Sequence, residues 1–218
     1  QISADGTVSS GTTTETVVAT IGSNTNPTLK EAFEAANNND SIIINAGIYE
    51  MSDLSYLSGK TVTVSAQTDA AVTFDNAGAV NLGSANVTFQ NIIFDYMPNQ
   101  NYTGLQHAGD LTYEGCTFNG MVFLYGNSET FNTCTFNQTE AGAYNVWTYG
   151  AKKVEFNSCS FECAGKSVLV YTEDSTAKTD LTVKDTTFMA SATVDGKAAI
   201  EIDTSLMTKG GATITIEG

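Results

Sequence analysis

Apolar and polar residues alternate along most of this chain with the two-residue period of a β-strand, in short runs broken by Asn, Gly and Asp. Five runs align on one pattern: VTFQNIIF (87–94), LTYEGCTF (111–118), ETFNTCTF (129–136), VEFNSCSF (154–161) and LTVKDTTF (181–188). All but ETFNTCTF, which opens on Glu129, read apolar, polar, apolar, then a polar pair, then a residue before the closing pair that ends in Phe. The closing Phe returns after 24, 18, 25 and 27 residues. The polar pair is too short for a hairpin loop, so it predicts a bend between two strands of one coil. A third short strand follows at residues 122–125, 146–149, 168–171 and 199–202. Repeats of this length built from strands and tight bends predict a parallel β-helix, whose equivalent positions stack about 4.8 Å apart.

One segment breaks the period. Thr28 followed three residues later by Glu31 is a capping box, and Leu29, Ala32, Phe33 and Ala36 share one helical face. The pattern predicts an amphipathic helix over about 28–37, ended by the run Asn37, Asn38 and Asn39. It would cover the open apolar end of the solenoid and so protect its unpaired strand edges. Residues 1–27, rich in Ser, Thr and Gly, read as an N-terminal arm or first strand, and residues 28–218 as the β-helix domain. No comparable cap is visible after Ile216, which leads us to expect further domains or a packing partner there.

Stacking accounts for the cysteines. Ile92, Cys116, Cys134, Cys159 and Thr186 fall in one column beside the Phe column, so Cys serves there as a small apolar residue with a free thiol. Cys163 lies outside that column.

Composition narrows the function. The chain of 218 residues carries nine Lys, no Arg, 24 acidic residues and a formal net charge of −15. Nucleic acid would be repelled, and the guanidinium forks that grip phosphate are missing. No apolar run is long enough to span a bilayer, and the start at Gln1, without a charged and apolar stretch, leads us to expect a mature or excised segment of a soluble or exported protein. Low charge with 32 Thr and 18 Asn suits an extracellular setting.

The segments TLKEAFEAA (28–36), DSIIINAGIYE (40–50) and GKTVTV (59–64) resemble the opening of the pectate-lyase-like superfamily of right-handed parallel β-helix proteins. The resemblance covers about residues 28–216. It implies a right-handed all-β solenoid with an N-terminal capping helix; because that superfamily includes lyases, hydrolases and catalytically silent adhesins, it leaves function to the residues.

Lyases of the superfamily abstract a proton with Arg or Lys beside carboxylate-held Ca²⁺. Here Arg is missing, and Lys184 with Asp185, the nearest base and carboxylate neighbours, reads as a solvated bend. The hydrolases use clustered Asp; Asp95, Asp110, Asp174, Asp180, Asp185, Asp195 and Asp203 are scattered along the sequence. His107, the single histidine, has no neighbouring ligand or nucleophile and reads as a packed or surface residue. Glu173 with Asp174 offers at most a weak Ca²⁺ site. No catalytic residue, metal site or cofactor is expected.

Alternation on the third strands places Val122, Leu124, Val146, Thr148, Val168 and Val170 inward, and Phe123, Tyr125, Trp147, Tyr149, Leu169 and Tyr171 outward. Such an external aromatic ladder would dock a sugar ring or a partner protein. The same ladder equally suits a face covered by another segment, and a register shifted by one residue would turn it inward. The sequence therefore predicts a non-catalytic, adhesin-like, secreted or bacterial cell-surface module that binds a glycan or a host or matrix protein. The competing reading is a lyase or hydrolase acting on acidic polysaccharide; a bare spacer is a third.

Overall fold

The computed structural model describes residues 17–75, 80–97, 104–140, 142–172, 174–193 and 195–218. The chain is mostly β, in long sheets whose strands run parallel. The largest sheet has ten strands. It opens with the antiparallel pair Asn24–Asn26 and Ala19–Ile21, the latter also antiparallel to Ser41–Ile44. From there it is parallel throughout, in chain order: Thr61–Ala66, Asn86–Gln90, Asp110–Glu114, Ser128–Asn132, Lys153–Asn157, Lys178–Lys184 and Gly211–Glu217. A seven-stranded sheet runs from Gly47–Glu50 to Thr187–Ala190, and a four-stranded sheet joins Val122–Phe123, Val146–Trp147, Val168–Val170 and Ile200–Ile202. From Asp110 on, the chain visits these three sheets in turn and adds one strand to each, while Val80–Asn81 and Leu105–Gln106 pair in a separate parallel two-stranded sheet, an arrangement compatible with a β-helix solenoid.

The predicted bends carry the turn. Asn91, Gly115, Thr133, Ser158 and Asp185, the second residue of each polar pair, all have left-handed backbones, with φ of 56°, 62°, 51°, 53° and 48°. This bends the chain within two residues and lets the next strand begin on the neighbouring sheet. Asn tolerates that conformation; Thr133, β-branched, adopts it under strain.

Inward columns follow the register. Phe74, Phe94, Phe118, Phe136, Phe161 and Phe188 pair in sequence down the second sheet. Their rings stack 4.4–6.1 Å apart. On the first sheet Val62, Val87, Leu111, Glu129, Val154, Leu181 and Ile214 share a column. One carboxylate thus stands in an otherwise aliphatic row. Cys116, Cys134 and Cys159 are buried free thiols whose Sγ atoms donate to the carbonyls of Phe89, Tyr113 and Phe131 at 3.3–3.4 Å; Cys163 is also buried and free.

The amphipathic segment forms a helix at Leu29–Ala35. The Glu31 amide donates to Thr28 Oγ1 at 3.1 Å, the Thr28 hydroxyl donates to the Glu31 carboxylate at 3.1 Å, and Leu29, Ala32 and Phe33 are buried. Lys60 Nζ donates to the Glu34 and Ala36 carbonyls at the other end. The left-handed residue after the helix is Asn39, three positions beyond Ala36. Of the N-terminal arm, residues 1–16 lie outside the described residues; part of the remainder forms the antiparallel pair. At the far edge of the large sheet Ile216 is 70% exposed.

Candidate functional site

The four-stranded sheet keeps the predicted register: Val122, Leu124, Val146, Val168 and Val170 belong to the core cluster, and Thr148 is buried beside them. Outward positions form two columns. One runs Phe123, Trp147, Leu169, Glu201. The other runs Tyr125, Tyr149, Tyr171, and the same register carries it to Asp203, whose amide bonds to the Val170 carbonyl at 3.0 Å.

A continuous exposed ladder does not result. Phe123 is 1% exposed and Leu169 7%, while Trp147, Tyr125, Tyr149 and Tyr171 are half-buried. Phe123 is covered by Trp147 and Tyr149, stacked at 5.2 and 4.6 Å, and by the close approach of Gly104, where a Cβ would overlap the Phe123 carbonyl. Rings one strand apart are wide enough to roof one another, so the smallest member, Leu169, is shielded between its neighbours.

In place of a flat face, clefts open beside the half-buried rings. One, of about 540 Å³, is lined by Tyr144, Trp147 and Leu169 on one side and by Lys197, Glu201 and Asp203 on the other. A second, of about 430 Å³, lies across Trp147 and Tyr144 against Met121, Glu140 and Lys166. A third, of about 570 Å³, is lined by Tyr125, Tyr149, Lys152, Asp174, Lys178 and Asp180. Tyr144 divides the first two: its ring stands edge-on to Trp147 at 6.0 Å, Lys166 Nζ sits 4.3 Å over it, and its hydroxyl donates to Glu201 Oε2 at 2.9 Å.

Glu201 also receives Lys197 Nζ on Oε2 at 3.0 Å and the Ala198 amide on Oε1 at 3.3 Å. Partial burial opposes its ionisation, but these donors outweigh it and hold the carboxyl below its ordinary range. Asp203 is held low by the hydroxyl and amide of Ser205. Glu201 and Asp203 stand two residues apart, so alternation alone sets them on one face, and the register brings that face into line with the aromatic columns. Among the described residues, four buried side-chain polar atoms find no protein partner; of these Trp147 Nε1 belongs to a residue lining the first two clefts, whereas Asn145 Oδ1 and Ser167 Oγ belong to fully buried residues that line neither. Asn145 and Ser167 are adjacent across the strands, with the Asn145 amide on the Ser167 carbonyl at 2.9 Å.

His107 belongs to a different constellation, inside the molecule. Its Nε2 lies 3.1 Å from Glu129 Oε1, and its Nδ1 lies 3.0 Å from the Gly109 carbonyl. That carbonyl only accepts, so Nδ1 carries a hydrogen, and the pair shares one further proton between Nε2 and the carboxyl. Glu129 also receives the Tyr125 amide at 2.7 Å and the Tyr113 hydroxyl at 3.5 Å. Burial pushes its carboxyl above the ordinary range, against the pull of His107 and the other donors. The residue reads as structural, tying segment 104–109 and the Tyr125 turn to the interior. Its partner was readable as the one charged residue in an apolar slot of the repeat.

Of the other candidates, Lys184 and Asp185 occupy the last bend, and Asp174 is exposed with its Oδ1 taken by the Thr176 amide and hydroxyl at 2.8 Å. Glu173 lies outside the described residues. Among the described residues no three His, Cys, Asp or Glu side chains gather into a metal-binding group, and no helix is long and apolar enough to cross a membrane. Comparison with protein-family models, with curated proteins and with solved structures finds no match to this chain.

Proposed function

We propose that this chain is a right-handed parallel β-helix of the pectate-lyase-like kind, capped by its N-terminal helix, and that it serves as a non-catalytic, secreted or cell-surface module binding a glycan on the flank around Trp147. The observation that carries this reading is the pair of clefts on either side of Trp147 and Tyr144. Half-exposed aromatic rings there lie beside ionised carboxylates and lysines. Sugar rings are bound by that combination, an apolar face for stacking and a few fixed polar groups for the hydroxyls.

The experiment is a titration of Trp147 fluorescence, the chain's single indole, with a panel of oligosaccharides. Saturable change, weakened by Trp147→Ala and Tyr144→Ala, is the expected result. No response to any member would refute the glycan reading. One observation favours an enzyme instead: Glu201 and Asp203 share a cleft. A glycosidase needs one of its two carboxyls raised to act as an acid, whereas both here are lowered. Release of reducing ends from a polysaccharide by wild type but not by Glu201→Gln would establish hydrolysis.

A further inference from the structure

We propose that the cleft between Trp147 and the Glu201 and Asp203 carboxylates is a subsite for a protonated amine, so that the glycan is one containing an amino sugar with its amine free. This rests on the glycan reading above and specifies the sugar. The two outward columns change character at the same strand: Trp147 and Leu169 are followed by Glu201, and Tyr149 and Tyr171 by Asp203. A ligand lying along the columns passes from aromatic faces onto two negative charges.

The charges are not equivalent. Glu201 is committed, with Tyr144, Lys197 and Ala198 around it. Asp203 receives only Ser205 among the bonds that hold it ionised, and a carboxylate has about four lone-pair sites. Lys197 offsets one of the two negative charges lining the cleft, which leaves an excess of one beside an indole face. Carboxylate and aromatic face together are what stabilise an ammonium ion, the first by a charge-assisted hydrogen bond and the second through the ring quadrupole. The whole chain, at −15, attracts polycations and repels uronates and sulfated sugars. Because both carboxyls are held ionised, neither is a proton donor to a glycosidic oxygen, so the pair is better suited to recognition than to cleavage.

The test uses the whole chain at about pH 6, where amines are protonated and these carboxylates ionised. Trp147 fluorescence is titrated with matched oligomers of glucosamine, N-acetylglucosamine and glucose, at low and high salt. The free-amine oligomer is expected to bind about tenfold tighter than its acetylated counterpart. High salt should shrink that advantage, and Asp203→Asn should abolish it by bringing the free-amine oligomer down to the affinity of its acetylated counterpart. Lys197→Gln moves the other way: it removes the competing cation and should strengthen the amine preference. Equal binding of free and acetylated oligomers overturns the amine subsite and leaves the glycan reading standing. Binding of a lysine-rich peptide with no response to any sugar overturns both.

Discussion

Phe136 is the centre of the aromatic column, and its removal measures whether that column holds the chain together. The ring is fully buried, stacked on Phe118 at 4.9 Å and on Phe161 at 4.4 Å. Phe131 and Phe156 meet its edge or face at 5.3 and 5.5 Å. Phe136→Ala loses the transfer energy of the ring, leaves a cavity whose walls are themselves rings in register, and forfeits contacts on four sides. These put the loss near the upper end of the usual range, about 4–5 kcal/mol. Phe188, at the last strand of the same sheet, is half-buried and stacks on Phe161 at 4.7 Å, so Phe188→Ala should cost about 1–2 kcal/mol. The difference, about 3 kcal/mol, is on the order of a hundredfold in the folding constant. Urea denaturation followed by far-UV circular dichroism reads it as a shift in midpoint at unchanged slope. If the two substitutions cost the same, or Phe188→Ala costs more, the in-register column is not what stabilises the fold.

Four further outcomes follow from the same geometry. His107→Gln removes the hydrogen-bonded partner of a buried carboxyl and should cost about 3–5 kcal/mol at neutral pH. Because burial raises the folded-state pKa of Glu129 above its unfolded value, the folded variant binds the extra proton, and stability should recover as pH falls from that raised value toward the ordinary carboxyl range; thermal melts across pH check the sign. Cys116, Cys134, Cys159 and Cys163 should react with a thiol reagent only after unfolding, and a reductant should leave the melting temperature unmoved. Thr133→Asn relieves a β-branched residue at φ 51° and should raise stability by about 0.5–1 kcal/mol in chemical denaturation. Ser167→Ala deletes a buried hydroxyl with no protein partner, so it should leave the protein as stable or more so; a loss above about 1 kcal/mol would show that the hydroxyl is bonded.

The strands and bends were legible because each repeat writes the same instruction in local chemistry. Alternation sets which side faces in, and a polar pair fixes where the backbone turns left-handed. Asn91, Gly115 and Asp185 are residue types that tolerate that conformation, and Thr133 and Ser158, which tolerate it less, could be placed only by alignment with the others. What the pattern did not carry was the antiparallel start. Ala19–Ile21 and Asn24–Asn26 are too short to differ from any other Thr-rich strand, and their direction is set by pairing with Ser41–Ile44, a tertiary fact.

The site was half legible for a related reason. Alternation alone put Trp147 and the tyrosines outward, but exposure depends on ring width against strand spacing, and rings stacked at about 5 Å shield one another whatever their direction. Glu201 and Asp203 lie 54 and 56 residues beyond Trp147, so no motif of fixed spacing could join them. In a stack of parallel strands the informative coordinate is the column, and sequence distance measures only how many strands lie between. Trp147, Leu169 and Glu201 are neighbours for the reason that Phe136 and Phe161 are, namely a register that the core enforces. Outward residues are therefore free to change strand by strand without disturbing the interior. That freedom lets a column begin as aromatic and end as carboxylate, and it makes Asp203→Asn a test of recognition with little bearing on stability.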